Sequence, residues 1–200
     1  MTAIEGLERY PRQVRLGAKD LTIRLMAAGD EDRMLALARS LPEHDLLFLA
    51  RDITKRSEVK EWVKSAAAGE IATIVALSAD AFVGYAAVHR NPMRWSSHVA
   101  ELRVMVAPEM RGSGLGRQLT QEAFATSLAL GVEKMIAQMT LDQKGAIAVF
   151  EGLGFRPEAL LRDHVKDRSG TKHDLLMLSH EVARFEAQRA AFGVAEAFGN

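Results

Sequence analysis

The chain has no cysteine among its 200 residues. That absence excludes disulfides, thiolate metal sites and any covalent step through a thiol, while saying little about compartment. An excess of charge of one sign is missing as well: 26 Lys and Arg balance 26 Asp and Glu. No whole-molecule field gathers nucleic acid or an anionic membrane, so any anion site has to be local. No run of about 18 apolar residues could span a bilayer, and Met1 to Asp20 lacks the apolar stretch of a secretion signal. The expectation is a soluble, cytoplasmic protein with neither nucleic-acid nor membrane partners. Internal repeats, low-complexity tracts and metal-ligand spacings are missing too, and no metal is expected.

What is present is 48% hydrophobic and 26% charged residues, enough to bury one sizeable core. The expected division is an N-terminal extension over 1–20, one domain over 21–180 and a helical extension over 181–200. The first stretch mixes Arg9, Arg12, Arg15 and Lys19 with Pro11 and Gly17 and reads as a mobile or surface-draped tail. Period and turn signals then predict a strand at Leu21–Met26, helices at Glu31–Ser40 and Ser57–Ala68, and a hairpin of Ile71–Leu77 with Phe82–His89. A strand at His98–Val106 puts Glu101, Arg103 and Met105 on one face. A helix from Gly114 to Gly131, a strand at Lys134–Thr140 and a helix at Lys144–Leu153 follow. A final hairpin joins Ala159–Val165 to His173–Ser179 around Asp167, Arg168, Ser169 and Gly170. The last helix, Glu181–Phe198, either packs on its own domain or makes a homodimer contact. This order is α/β around one mixed sheet, with a right-handed parallel crossover where strand, helix and strand succeed one another.

The most informative residues are Arg111, Gly112, Ser113, Gly114, Leu115 and Gly116, between the end of a strand and the start of a helix. Glycines allow close approach to the main chain, and the first amides of a helix have no intrahelical acceptor, so such a turn can hold a phosphate or diphosphate. Arg111 and Arg117 could add charge. A tight turn with no ligand is the plain alternative. A Walker loop is excluded because Gly-Lys-Ser/Thr is missing, and a dinucleotide fingerprint would normally open an early βαβ unit.

These residues resemble the signature of the GCN5-related N-acetyltransferase (GNAT) superfamily, Gln/Arg-x-x-Gly-x-Gly/Ala after a strand ending in Val-x-Pro. The matching stretch runs from Val106-Ala107-Pro108 through Arg111 to Gly116. A second block, Ala146 to Phe155, is similar to the family's later helix and its Gly-Phe strand entry. The resemblance implies a mostly antiparallel six- or seven-stranded sheet with helices on both faces, splayed between its fourth and fifth strands. It implies acetyl-CoA as cosubstrate, with main-chain groups of Met105 and Val106 pairing with the pantetheine arm. The diphosphate would lie on amides from Arg111 to Gly116, including Gly112, Ser113, Gly114 and Leu115, with help from Arg117. Gln143 stands where an asparagine often contacts the cofactor, and Phe150 is placed with these cofactor residues.

The activity so implied is acetyl transfer to a primary amine of a small molecule, amino acid or peptide. Without cysteine, direct attack on the thioester is the default route. An alkylamine is mostly protonated at neutral pH, so a base is useful, as is a donor to the carbonyl oxygen. By resemblance the amide of Val106 is that donor. Where the branch acetylating protein N-termini commonly has glutamate and tyrosine, this chain has Gln138 and Phe150, which neither take nor give a proton usefully. Glu101 is the remaining candidate base, against the plainer reading of a strand charge paired with Arg103, and the bulge usual in this strand could turn its face. His98, His164 and His173 are lesser candidates. Asp174 would shape the acceptor site or simply pair with a neighbour, and Met93 and Trp95 would line the acceptor pocket or belong to the core. The alternative function is a non-catalytic acyl-CoA-binding regulatory module.

Overall fold

The computed structural model describes residues 8–46, 49, 51–90 and 94–183. Central to it is an eight-stranded sheet of β1 (Arg12–Leu16), β2 (Lys19–Leu25), β3 (Ala72–Ser78), β4 (Ala81–Arg90), β5 (Val99–Val106), β6 (Lys134–Thr140), β7 (Arg156–Lys166) and β8 (Lys172–Glu181). The strand order is β1-β2-β3-β4-β5-β6-β8-β7, and β5–β6 is its one parallel pair. The helices are α1 (Glu31–Ser40), α2 (Glu43–Leu46), α3 (Arg56–Ala67), α4 (Leu115–Ala129) and α5 (Lys144–Gly152).

Strands β3 and β4 are buried almost throughout, which is why they read as continuous apolar runs rather than alternating ones. On one face Met34, Leu37, Val59 and Trp62 of α1 and α3 pack on Val75, Tyr85 and Ala87. On the other, Leu115, Leu119 and Ala123 of α4 and Phe150 of α5 pack on Ile74, Ala86 and Leu102. Leu115 and Leu119 are fully buried, each stabilising the helix on the sheet by about 1.5–3 kcal/mol. The element order and mixed sheet fit the expected fold, with one more strand than expected, so the splay falls between β5 and β6.

The extra strand comes from the segment read as a draped tail. Arg12–Leu16 pairs antiparallel with Lys19–Ile23, and its approach is fastened to α4. Glu122 is only 3% exposed; it accepts from the Tyr10 hydroxyl at 2.7 Å and from Gln118 at 2.9 Å, and pairs with Arg9 and Arg12. A buried carboxylate needs such donors, and here the N-terminal arginines supply them. At the other end Glu181 closes β8, while residues 184–200 of the expected last helix lie outside the described residues.

Candidate active site

Strands β5 and β6 pair only at Val99–Glu101 with Lys134–Ile136, and then separate. Each remains held by its other neighbour, β5 by β4 as far as Val106 and β6 by β8 as far as Thr140. The cleft between them is lined by Leu102, Val104, Met105, Ala137, Gln138, Gln143 and Phe150.

Register decides which peptide groups face this cleft. The Ala107 N–H donates to Val83 O at 2.9 Å, and the β4–β5 pairing then runs without a register shift to Arg90↔Ala100. Hydrogen-bonded and non-bonded pairs alternate along an antiparallel ladder, so Tyr85↔Met105 and Ala87↔Arg103 are the bonded pairs. The peptide groups of Val104 and Val106 therefore point toward the cleft, and those of Met105 point into the sheet. The expectation for Met105 is corrected accordingly: its main chain is committed to β4, while its side chain lines the cleft. No bulge turns Glu101 to the other face.

At the C-terminal end of β5 a short 3-10 turn, Pro108–Met110, leads into α4. Gly112 and Gly114 have φ of +74° and +90°, which non-glycine residues adopt only at a cost. A Cβ placed on either would meet nothing within 4 Å, so the turn presents bare backbone to open space. The amides of Arg111 and Ser113 bond back to Pro108 and Met110, and that of Leu115 to the Ser113 hydroxyl. The amides of Gly112, Gly114, Gly116 and Arg117 find no such acceptor among the described residues, and can donate to an anion at the positive end of the α4 dipole.

Helix α2, unforeseen in the sequence, stands beside this turn. Its first three residues each hold a different element: Glu43 pairs with Arg168 of the β7–β8 turn at 3.2 Å, His44 with Asp142 after β6 at 2.9 Å, and Asp45 with Arg111. Arg111 is thus already paired with a carboxylate. Arg117 is exposed, its guanidinium beside Gly152 at the end of α5.

Glu101 is bound by Arg103 through two hydrogen bonds of 2.8 and 3.1 Å. Two of the carboxylate's lone-pair sites are thereby used and two remain. Cross-strand from Glu101 stands His89, whose burial and the nearby Arg103 and Arg51 lower its pKa to about 4 despite an opposing contribution from Glu101. Its ring is neutral at physiological pH. Arg103 also borders a second cavity of about 160 Å³ on the α1/α3 side, lined by Leu49, Arg51, Ile53, Trp62, Ile71, Tyr85 and His89.

Gln138 faces the cleft, and Gln143 caps the strand end by accepting from the Thr140 amide at 3.2 Å. Phe150 packs edge-on to Phe155 with centroids 5.0 Å apart. Among the other sequence candidates, His98 and His164 are exposed. His173 pairs with Asp167 at 2.9 Å, and Asp174 accepts from the Asp163 amide in the last hairpin at 2.9 Å. Trp95 is 89% exposed and therefore not core, and Met93 lies outside the described residues. His89 and Arg51, on the second cavity, and Asp45, against Arg111, carry no local motif; only a strand-to-strand register or a folded loop brings them there.

No helix of the described residues is long and apolar enough to cross a membrane. The family model for the acetyltransferase (GNAT) family matches residues 36–155. A search of curated proteins finds no significant match. Among solved structures, an acetyltransferase of the GNAT family from Streptococcus pneumoniae superposes with a TM-score of 0.71 at 17% identity, over 81% of this chain and 99% of that one. Ribosomal-protein-alanine N-acetyltransferase from Brucella melitensis gives 0.70 at 24%, over 80% and 99%. The Salmonella typhimurium protein yncA, solved with its cofactor acetyl-CoA, gives 0.68 at 21%, over 81% and 94%.

Proposed function

The chain belongs to the acetyltransferase (GNAT) family, and on that premise we propose that it transfers an acetyl group from acetyl-CoA directly to a primary amine. The observation that carries this reading is the β5–β6 splay, with the peptide groups of Val104 and Val106 facing a cleft that ends on the turn from Gly112 to Arg117. The fit is favourable: an open, bare-backbone turn suits a diphosphate, and two unpaired peptide edges suit an amide-bearing arm. That related yncA was solved with acetyl-CoA agrees with this assignment.

When bound, acetyl-CoA supplies an activated acyl carbon on a good leaving sulfur. The chain's part is to orient and to neutralise. Amides at Gly112, Gly114, Gly116 and Arg117 bind the diphosphate, and the Val106 amide donates to the carbonyl oxygen as negative charge develops there. The amine nitrogen forms the new C–N bond as the C–S bond breaks; one amine proton leaves, and the departing sulfur takes one up. Glu101, with lone pairs left beside Arg103, accepts an N–H of the incoming amine and passes its proton to solvent. Gln138 and Phe150 supply no acid or base, so water protonates the sulfur. Those two side chains favour the second reading, a CoA-binding module without turnover.

Purified protein incubated with acetyl-CoA and an amine panel separates the two. Acceptor-dependent release of free thiol is expected. Thermal stabilisation by CoA without thiol release would establish the binding module, and no stabilisation would remove the CoA assignment altogether.

A further inference from the structure

The cavity on the α1/α3 side of β5 shares Arg103 and Leu49 with the cleft, so the two spaces meet at these two side chains. We infer that this second cavity is the acceptor pocket and that its occupant is a small amine also bearing a carboxylate and a ring-sized apolar group, as in an aromatic or branched α-amino acid. The inference rests on the transferase reading for the reaction, but its geometry stands separately.

Charge comes first. Among the described residues the ionic groups at the junction are Arg51, Arg103 and Glu101, and His89 is uncharged at neutral pH. Glu101 is matched by Arg103 through its paired hydrogen bonds, which leaves Arg51 as surplus positive charge at the cavity edge. An amine without a counter-charge meets that surplus as repulsion. One carrying its own carboxylate places it against the guanidinium, where a charge-assisted pair is geometrically suited.

Size and lining come second. Trp62, Ile53, Ile71 and Leu49 wall the space, and Tyr85, 1% exposed, lies on its floor. A volume of about 160 Å³ is that of an apolar cavity able to take a benzene-sized group. Trp62 is fixed by its indole N–H donating to Thr73 at 3.1 Å and by edge contact with Tyr85 at 4.9 Å, so this wall is preformed. Position agrees with charge and size: Glu101, on the same strand two residues before Arg103, lies where the strands part, at the end of the β5–β6 pairing.

The test uses matched acceptors, phenylalanine, phenylalaninamide, phenethylamine and glycine, with thiol release read for the whole chain and for Arg51→Gln. Phenylalanine is expected to exceed phenethylamine, phenylalaninamide and glycine in kcat/KM by roughly ten-fold or more. Arg51→Gln should erase the carboxylate preference, chiefly by raising KM for phenylalanine toward that for phenethylamine, while the thermal shift on adding acetyl-CoA stays as in the parent. Equal use of phenylalanine and phenethylamine, or a preference untouched by Arg51→Gln, would overturn the inference and leave the transferase standing. Calorimetric titration with N-acetylphenylalanine and N-phenethylacetamide needs no turnover. Arg51-dependent binding of the first with no thiol release from any amine would sink the transferase and keep the pocket, whereas equal binding of both would sink the pocket.

Discussion

Replacing Gly114 by alanine tests the anion turn with an internal control on the same helix. Gly114 precedes α4 with φ of +90°, and Gly131 follows it with φ of +70°; a Cβ at either meets nothing within 4 Å. The stability cost at both is therefore backbone strain alone, about 1–2 kcal/mol. For a chain of this size that lowers Tm by about 2–8 °C. Strain of this kind is present with and without ligand, so on its own it leaves affinity unchanged. At Gly114, however, the new methyl projects where a diphosphate must approach the amides. Losing one charge-assisted hydrogen bond costs about 1.5–3 kcal/mol, or roughly 10- to 150-fold in acetyl-CoA affinity. Calorimetric titration alongside a melting curve should show similar Tm losses for the two variants and weakened binding for Gly114→Ala alone. If both bind acetyl-CoA as tightly as the parent, the turn holds no phosphate and the reasoning fails.

Asp45→Asn frees Arg111 and removes a carboxylate from the anion's neighbourhood; because the pair is partly exposed, acetyl-CoA should bind only about two- to five-fold tighter, less so in high salt, and weaker binding would refute a competition at Arg111. Glu101→Gln should lower kcat by roughly 100-fold with relief at high pH; an unaltered pH-rate profile removes Glu101 as base. Glu122→Ala removes the buried acceptor of Tyr10, Gln118 and two arginines that are themselves 34% and 39% exposed, at a cost of about 1.5–3 kcal/mol, visible as a Tm loss of about 3–12 °C and faster hydrogen exchange in β1. For His89, the folded pKa of about 4 lies below the unfolded value near 6.5. The unfolded chain thus binds more protons between these limits, and stability falls as pH drops through that window. With Arg103, Arg51 and Glu101 left in place, His89→Gln should flatten the decline, by up to about 3 kcal/mol between pH 7 and pH 4 in urea unfolding; an equal decline in both proteins assigns it elsewhere.

Features set by a few neighbouring residues were legible in the sequence. The turn from Arg111 to Gly116 was, because glycine at positive φ and open helix amides are local properties, and so were the apolar runs of β3 and β4. Features set by register were not. Whether Met105 or Val104 turns its peptide groups to the cleft depends on which β4–β5 pairs are bonded, and alternation of side chains along β5 says nothing of that. Strand β1 escaped notice because its fastening, Glu122, lies more than 100 residues away, and arginines beside a proline resemble a solvated tail. His89 gains its character from burial and from Arg103 across the ladder, and a four-residue helix such as α2 is too short for periodicity to reveal.

That small helix has a further bearing. Its consecutive side chains tie down a hairpin, a strand end and the glycine turn. A phosphate that draws Arg111 to itself would loosen one of those three moorings. The grip of α2 on the hairpin and on the strand end, through Glu43 and His44, does not involve that guanidinium and would hold the helix in place.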